Sequence, residues 1–109
     1  MEWKKDPIGK DCINLNTALA RWLSIRLQFL GDNASGWPIT DYFMEDNKAS
    51  QEEYDRQYEN WKDELSDAAK ALKDYADAEG NFDTEYEIRT ERVHKAMQWV
   101  ADNFTNLWD

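Results

Sequence analysis

Apolar and polar residues repeat with helical periodicity in three separate segments of this chain. The first segment covers residues 12–30, and most of its residues are apolar. A narrow polar line at spacings of 3, 4, 3 and 4 consists of Asn14, Thr17, Arg21, Ser24 and Gln28. A helix that is apolar around most of its circumference is typical of a buried element. We expect Asp11 to cap the beginning of this helix and Gly31 to end it.

The second segment, residues 51–79, begins at a capping box formed by Ser50 and Glu53. Its apolar seam has heptad spacing, alternating 4 and 3, and lapses only at its last position: Tyr54, Tyr58, Trp61, Leu65, Ala68, Leu72, Tyr75 and Glu79. At about 1.5 Å per residue this helix reaches about 44 Å, against about 28 Å for the first helix. Part of it must therefore extend beyond the first helix or be covered by another segment.

The third segment covers residues 84–108, with Asp83 or Thr84 as the cap and a second capping box from Thr84 to Glu87. Short connections make consecutive helices antiparallel neighbours. The sequence therefore predicts an all-α fold, a three-helix up-down-up bundle that forms one domain over residues 1–109. The first helix would lie against the hairpin of the other two, and the long first connection has room for a short extra helix.

Aromatic residues are unusually frequent for a small bundle, with 6 tryptophans among 109 residues. Trp22, Trp61 and Trp99 fall on or beside the apolar lines, and we expect them in the core. The first connection carries Trp37, Tyr42 and Phe43 outside any helical pattern. These three side chains either seal the bundle or serve as anchors for a partner, since tryptophan and tyrosine dominate interface hot spots.

One charged residue interrupts the apolar side of the first helix. Arg26 lies well away from the polar line. Its tip either reaches solvent or is buried against a carboxylate. In a chain this rich in acidic residues we expect an internal salt bridge.

Negative charge is concentrated in one part of the chain. The net charge is −10 overall, and residues 41–91 carry −11 while the remainder carries +1. Asp55, Glu59, Asp63 and Asp67 form an unbroken i,i+4 row, with Glu52 one turn before it. Like charges at this spacing repel one another. The row is either a solvated face, partly neutralised by Arg56 and Lys62, or a surface that meets a basic partner.

Composition makes several classes of protein unlikely. The single cysteine, Cys12, permits neither an internal disulfide nor a cysteine-based zinc site. No segment approaches the roughly 18 consecutive apolar residues of a membrane span, and no signal peptide is evident, which favours a cytoplasmic protein. Clustered lysine and arginine for direct nucleic-acid binding are missing. We expect no cofactor, no metal and no catalytic residue.

Two short patterns resemble those of enzymes. Arg89 and His94 in "RTERVH" are similar to the arginine–histidine motif of HEPN ribonucleases, where residues of two subunits meet at a dimer interface and cleave RNA; Thr90 departs from the polar residue usual in that family. Glu64 and Asp67 are similar to the metal-binding ExxD of MazG-type pyrophosphohydrolases. Arg56 stands where that family has a third upstream glutamate, and a cation there would repel magnesium.

In size, acidity and lack of catalytic motifs, the chain resembles small phage-encoded proteins that block host defences, including anti-CRISPR and anti-restriction DNA mimics. The closing "AMQWVADNFTNLWD" is also similar to the ends of small phage accessory proteins. This resemblance implies an inhibitor that acts in the host cytoplasm on a basic, nucleic-acid-handling protein. A structural or assembly protein, homodimeric through the seam of the second helix, is the alternative, and an HEPN-like or MazG-like enzyme is the second alternative.

Overall fold

The computed structural model describes residues 7–33, 51–79 and 81–108. Four α-helices lie in these ranges: α1 (Pro7–Cys12), α2 (Leu15–Asn33), α3 (Gln51–Asp77) and α4 (Tyr86–Asp102), followed by a 3-10 turn at Phe104–Asn106. The described ranges contain no strand, which confirms the all-α prediction. The predicted first connection, including Trp37, Tyr42, Phe43 and the Ser50 cap, lies outside the described residues.

A separate short helix, α1, contains the predicted start of the first helix, and the long helix α2 begins only at Leu15. The chain breaks between α1 and α2 at Asn14, whose φ of 62° lies in the left-handed region that asparagine tolerates better than most residues. The carbonyl of Asn14 accepts the amide of Ala18 at 3.0 Å and so begins α2. The expected cap, Asp11, belongs instead to α1, and α2 continues through Gly31 to Asn33. Both terminus predictions for this helix are therefore wrong.

The long helix α3 is the centre of the packing, and α2 and α4 both lie against it. Its heptad seam is confirmed as the main buried face, because Trp61, Leu65, Ala68 and Leu72 are buried, with Leu65 fully enclosed at 0% exposure. Burial of a leucine side chain of this kind contributes about 1.5–3 kcal/mol. The centre of the seam is thus occupied within the chain, while Tyr54, Tyr58 and Tyr75 are partly buried.

Small residues allow α2 to approach α3 closely. Ala20, Ser24 and Gly31 are buried in this contact, and a Cβ atom placed on Gly31 would lie only 3.3 Å from the Cβ atom of Leu65. The beginning of α2 lies beside the end of α3, as shown by hydrogen bonds from Asn16 to Tyr75 at 2.6 Å and, farther along α2, from Gln28 to Ser66 at 3.3 Å.

The orientation of α2 is opposite to the sequence-based expectation. The predicted polar line faces α3: Ser24 is 5% exposed, Gln28 donates to Ser66, and Arg21 donates to the carbonyl of Ala76 at 3.2 Å. Part of the apolar side is exposed, including Trp22, which we expected in the core, whereas Leu27 is buried at 3% exposure. The side that faces α3 therefore combines small residues with Leu27 and leaves the largest apolar side chains outside.

The third predicted helix is shorter than expected, spanning Tyr86–Asp102 rather than 84–108. Neither predicted cap is used: Glu85 occupies the cap position without a side-chain cap hydrogen bond, and the Asp83 carboxylate accepts the amide of Glu85 at 3.0 Å in the turn before the helix. Against α3, the Trp99 ring lies 5.4 Å from the Trp61 ring, and Arg92 pairs with Asp74 at 3.0 Å.

None of the helices in the described ranges combines the length and the apolar character that crossing a membrane requires.

Candidate partner-binding surface

The predicted acidic row is displayed on one exposed side of α3. Asp55, Glu59, Asp63 and Asp67 are all exposed, and so is Glu52. Successive carboxylates are about 6 Å apart along the helix axis. Because the opposite side of α3 packs against α2 and α4, the row is carried by the most firmly held helix of the described fold.

Two cations that we expected to neutralise the row make other contacts. Arg56 pairs with Glu53, and the Lys62 ammonium lies 5.2 Å from the centre of the Tyr58 ring. Among the residues that the structure describes, no ion pair or side-chain hydrogen bond is found for Glu59, Asp63 or Asp67. These three carboxylates of the row are therefore exposed without a direct ionic partner among the described residues.

Several carboxylates elsewhere in α3 and after it are paired. Asp77 accepts a hydrogen bond from Lys73 at 2.7 Å, and this bond raises the pKa of Lys73. Asp74 pairs with Arg92 across the contact between α3 and α4. Asp83 pairs with Arg89 at 3.0 Å. These three pairs contrast with Glu59, Asp63 and Asp67, for which the described residues show no such partner.

A groove of about 410 Å³ runs between α3 and α4 beside the row. Its lining combines Asp67 and Glu64 with Lys70, Arg92 and Lys95. Trp99 also lines the groove, and its buried indole nitrogen has no hydrogen-bond partner within the described part of the chain. Charges of both signs line this groove, in contrast to the uniformly negative row.

The two residues of the ribonuclease-like pattern lie in different surroundings on α4. Arg89 is 12% exposed at its side chain and holds the turn before α4, donating to the Asn81 carbonyl at 2.9 Å and pairing with Asp83. His94 is exposed. Five residues of helix rotate the two side chains about 140° apart, so one chain does not bring them together.

The residues of the pyrophosphohydrolase-like pattern are also not gathered into a metal site in the described part of the chain. Glu64 and Asp67 are exposed on α3, and Arg56 occupies the upstream position while paired with Glu53. Within residues 7–33, 51–79 and 81–108, no group of three or more histidine, cysteine, aspartate or glutamate side chains is arranged to hold a metal ion.

A second surface was missed by sequence reasoning. Five large apolar side chains of α2 are exposed to solvent: Leu15, Leu19, Trp22, Ile25 and Phe29. Beside them, a cleft of about 650 Å³ lies between α2 and the C-terminal residues Phe104 and Leu107. The sequence does contain an indication of this surface, because the small residues Ala20, Ser24 and Gly31 lie along one side of α2. Either that side or the apolar side could have packed against α3.

Arg26 forms no salt bridge with any residue that the structure describes, so the expected internal salt bridge is not found there. Its guanidinium lies 4.0 Å from the centre of the Trp22 ring and donates to the Trp22 carbonyl at 3.0 Å. Cation–π contact of this kind contributes about 0.5–1 kcal/mol at an exposed site.

Comparison of the chain with protein-family models, with curated proteins and with solved structures found no match.

Proposed function

We propose that this chain is a small acidic protein-binding module that inhibits another protein by occupying its basic, nucleic-acid-handling surface. The observation that carries this proposal is the exposed row on α3, in which Glu59, Asp63 and Asp67 lack partners among the described residues. Repulsion within the row opposes folding, so the row is not explained as a stabilising feature.

The mode of action follows from electrostatics. A regular line of carboxylates imitates the periodic charge of a phosphate backbone, and complementary charge accelerates association with a basic surface. Because α3 is fixed by its buried seam, the carboxylates are held in position before binding, which lowers the entropic cost of association. Trp37, Tyr42 and Phe43 are the proposed anchors that supply apolar contact area.

An up-down-up course of α2, α3 and α4 is part of the proposal. The contacts of Asn16 with Tyr75 and of Gln28 with Ser66 support it for the first pair. Contacts of Arg92 with Asp74 and of Trp99 with Trp61 support it for the second pair. This course places the row on the side of α3 that neither neighbour covers.

The test is capture from a lysate with three immobilised proteins. The first is the wild type, and the second carries Glu59→Gln, Asp63→Asn and Asp67→Asn. The third is a control that loses the same number of negative charges through Glu85→Gln, Glu87→Gln and Glu91→Gln. These three exposed residues lie in α4 or directly before it. We expect the wild type and the control to retain a basic nucleic-acid-binding protein at about 50 mM salt and release it at about 500 mM.

The row variant should retain at least about tenfold less of that protein. The captured protein is then purified with its nucleic acid, and the wild-type chain should displace the nucleic acid in competition. Equal retention by the row and control variants, salt-independent retention, or failure to displace the nucleic acid would each contradict the proposal.

A further inference from the structure

The exposed apolar face of α2 is the largest feature that the proposed function leaves unused. We define it as Leu15, Leu19, Trp22, Ile25 and Phe29, whose residues are 46% to 68% exposed. Trp22 lies two residues from buried Ser24, and two residues rotate a helix by about 200°. The face therefore points away from α3.

The area of this face matches that of a protein interface. With side chains of about 150–250 Å² each, the exposed fractions amount to on the order of 600 Å² of apolar surface. A stable interface buries about 800 Å² on each partner, of which about 65% is apolar in homodimers. The apolar area of the face is therefore as large as the apolar area of such an interface. It is also at the upper limit of the apolar patch size that monomeric proteins expose.

The face is also complementary to itself. Leu15 and Phe29 lie 7 residues on either side of Trp22, and Leu19 and Ile25 lie 3 residues on either side. In an antiparallel pair of α2 helices with the two-fold axis at Trp22, each apolar residue meets an apolar residue of the second copy. A two-fold interface requires this kind of symmetric pairing.

Arg26 determines the direction of the pair. In the antiparallel arrangement Arg26 lies opposite Ala18, since each is 4 residues from Trp22, and the small alanine leaves room for the guanidinium stacked on the Trp22 ring. The two Arg26 residues are then about 12 Å apart along the axis. A parallel pair would place them directly opposite each other, and like charges at an interface are costly.

We propose that this chain forms a homodimer through antiparallel contact of the apolar faces of two α2 helices. Because α3 lies on the other side of α2, the strongly acidic helices of the two copies are separated by the α2 pair. Both acidic rows remain exposed in this dimer. The inference rests on α2 alone and does not depend on the proposed function of the rows.

Sedimentation of the full chain between about 1 and 100 μM tests the proposal. We expect a dimer for the wild type, and at least about 100-fold weaker self-association for Trp22→Glu, since a buried central tryptophan is a typical hot spot. Ile88→Glu is the matched control, because Ile88 is an exposed apolar residue of α4, and it should leave the dimer intact. Circular dichroism confirms that each variant retains its helices.

Disulfide crosslinking tests the direction of the pair without removing an apolar residue of the face. In a Cys12→Ser background, a mixture of the Ala18→Cys and Arg26→Cys proteins should form a mixed disulfide dimer under mild oxidation. Each protein alone should form at least about tenfold less, because an antiparallel pair keeps identical positions about 12 Å apart.

Three results would overturn the proposal. The first is a wild-type protein that remains a monomer at about 100 μM. This result would be expected if residues 34–50 of the same chain, or a different protein, covered the face. The second is a dimer that Trp22→Glu does not weaken. The third is efficient disulfide formation by Ala18→Cys alone, which retains Arg26 and would indicate parallel helices.

Discussion

Ser24 and Trp22 lie two positions apart on α2 and face opposite sides of it. Ser24 is 5% exposed against α3, whereas Trp22 is 54% exposed. A serine inside and a tryptophan outside reverses the usual order of burial. The reversal is explained by the close contact of α2 with α3, which accepts small side chains and excludes a tryptophan. Trp22 is consequently available for the α2 pairing proposed above.

The close contact at Gly31 predicts the effect of enlarging that residue. Gly31→Val should destabilise the fold by about 2 kcal/mol, because the added methyl groups would overlap Leu65 and force α2 away from α3. Urea unfolding measures this change. Gly31→Ala is the control: its single Cβ lies in a tight contact, but alanine favours helix by about 1 kcal/mol over glycine. The two effects should leave the alanine variant within about 1 kcal/mol of the wild type. An equal loss for both variants would contradict the close approach.

The fully enclosed side chain of Leu65 predicts a large cost of truncation. Leu65→Ala should lower the free energy of unfolding by about 2–5 kcal/mol, since it leaves a cavity in the contact of α3 with α2. Ile88→Ala, at an exposed position of α4, should change it by no more than about 0.5 kcal/mol. Similar losses for the two variants in thermal or urea unfolding would show that α3 is not the centre of the core.

Repulsion along the acidic row predicts a stabilising substitution. Asp63 lies four residues from both Glu59 and Asp67, so Asp63→Lys replaces two repulsive pairs with two attractive ones. We expect a gain of about 1 kcal/mol in the free energy of unfolding at low salt. At about 1 M salt most of this gain should disappear through screening. A gain that salt does not reduce would point to a cause other than charge.

The same Asp63→Lys variant should bind the proposed basic partner more weakly than the wild type does. Higher stability with weaker binding is the expected sign of a residue retained for function rather than for folding. Stronger or unchanged binding would remove Asp63 from the proposed surface.

The turn before α4 predicts a pH dependence. A hydrogen bond from Arg89, assisted by the amide of Glu85, holds the pKa of Asp83 below its usual value of 3.8. A carboxyl group with a lowered pKa in the folded state stabilises the fold above its unfolded pKa, and this contribution is lost as the pH falls through the folded value. Asp83→Asn should therefore lower the melting temperature at about pH 7 and have little effect at about pH 2.

Carboxyl NMR titration provides the direct measurement of this effect. In Arg89→Gln the pKa of Asp83 should rise towards 3.8, because the main hydrogen-bond donor has been removed. A titration curve of Asp83 that is the same in both proteins would show that Arg89 does not hold this turn.

Much of the local structure could be predicted from the sequence. The seam of α3 was identified correctly at Trp61, Leu65, Ala68 and Leu72, because one amphipathic helix with heptad spacing has only one apolar side to bury. The exposure of the acidic row on the opposite side follows from the same geometry. The start of α4 was not predicted correctly, because Glu85 rather than Asp83 or Thr84 occupies the cap position, and Asp83 instead pairs with Arg89 in the turn before the helix.

The sequence by itself determined that this chain is helical, where α3 runs and which of its sides is acidic. Only the tertiary structure decided the orientation of α2, because periodicity identifies the faces of a helix but not which face its neighbour covers. Gly31, Ser24 and Ala20 let two helix backbones approach closely, and the contact with Leu65 outweighs burial of the larger apolar residues. Shape complementarity between two helices depends on both partners at once, and it therefore emerges only when they are packed together.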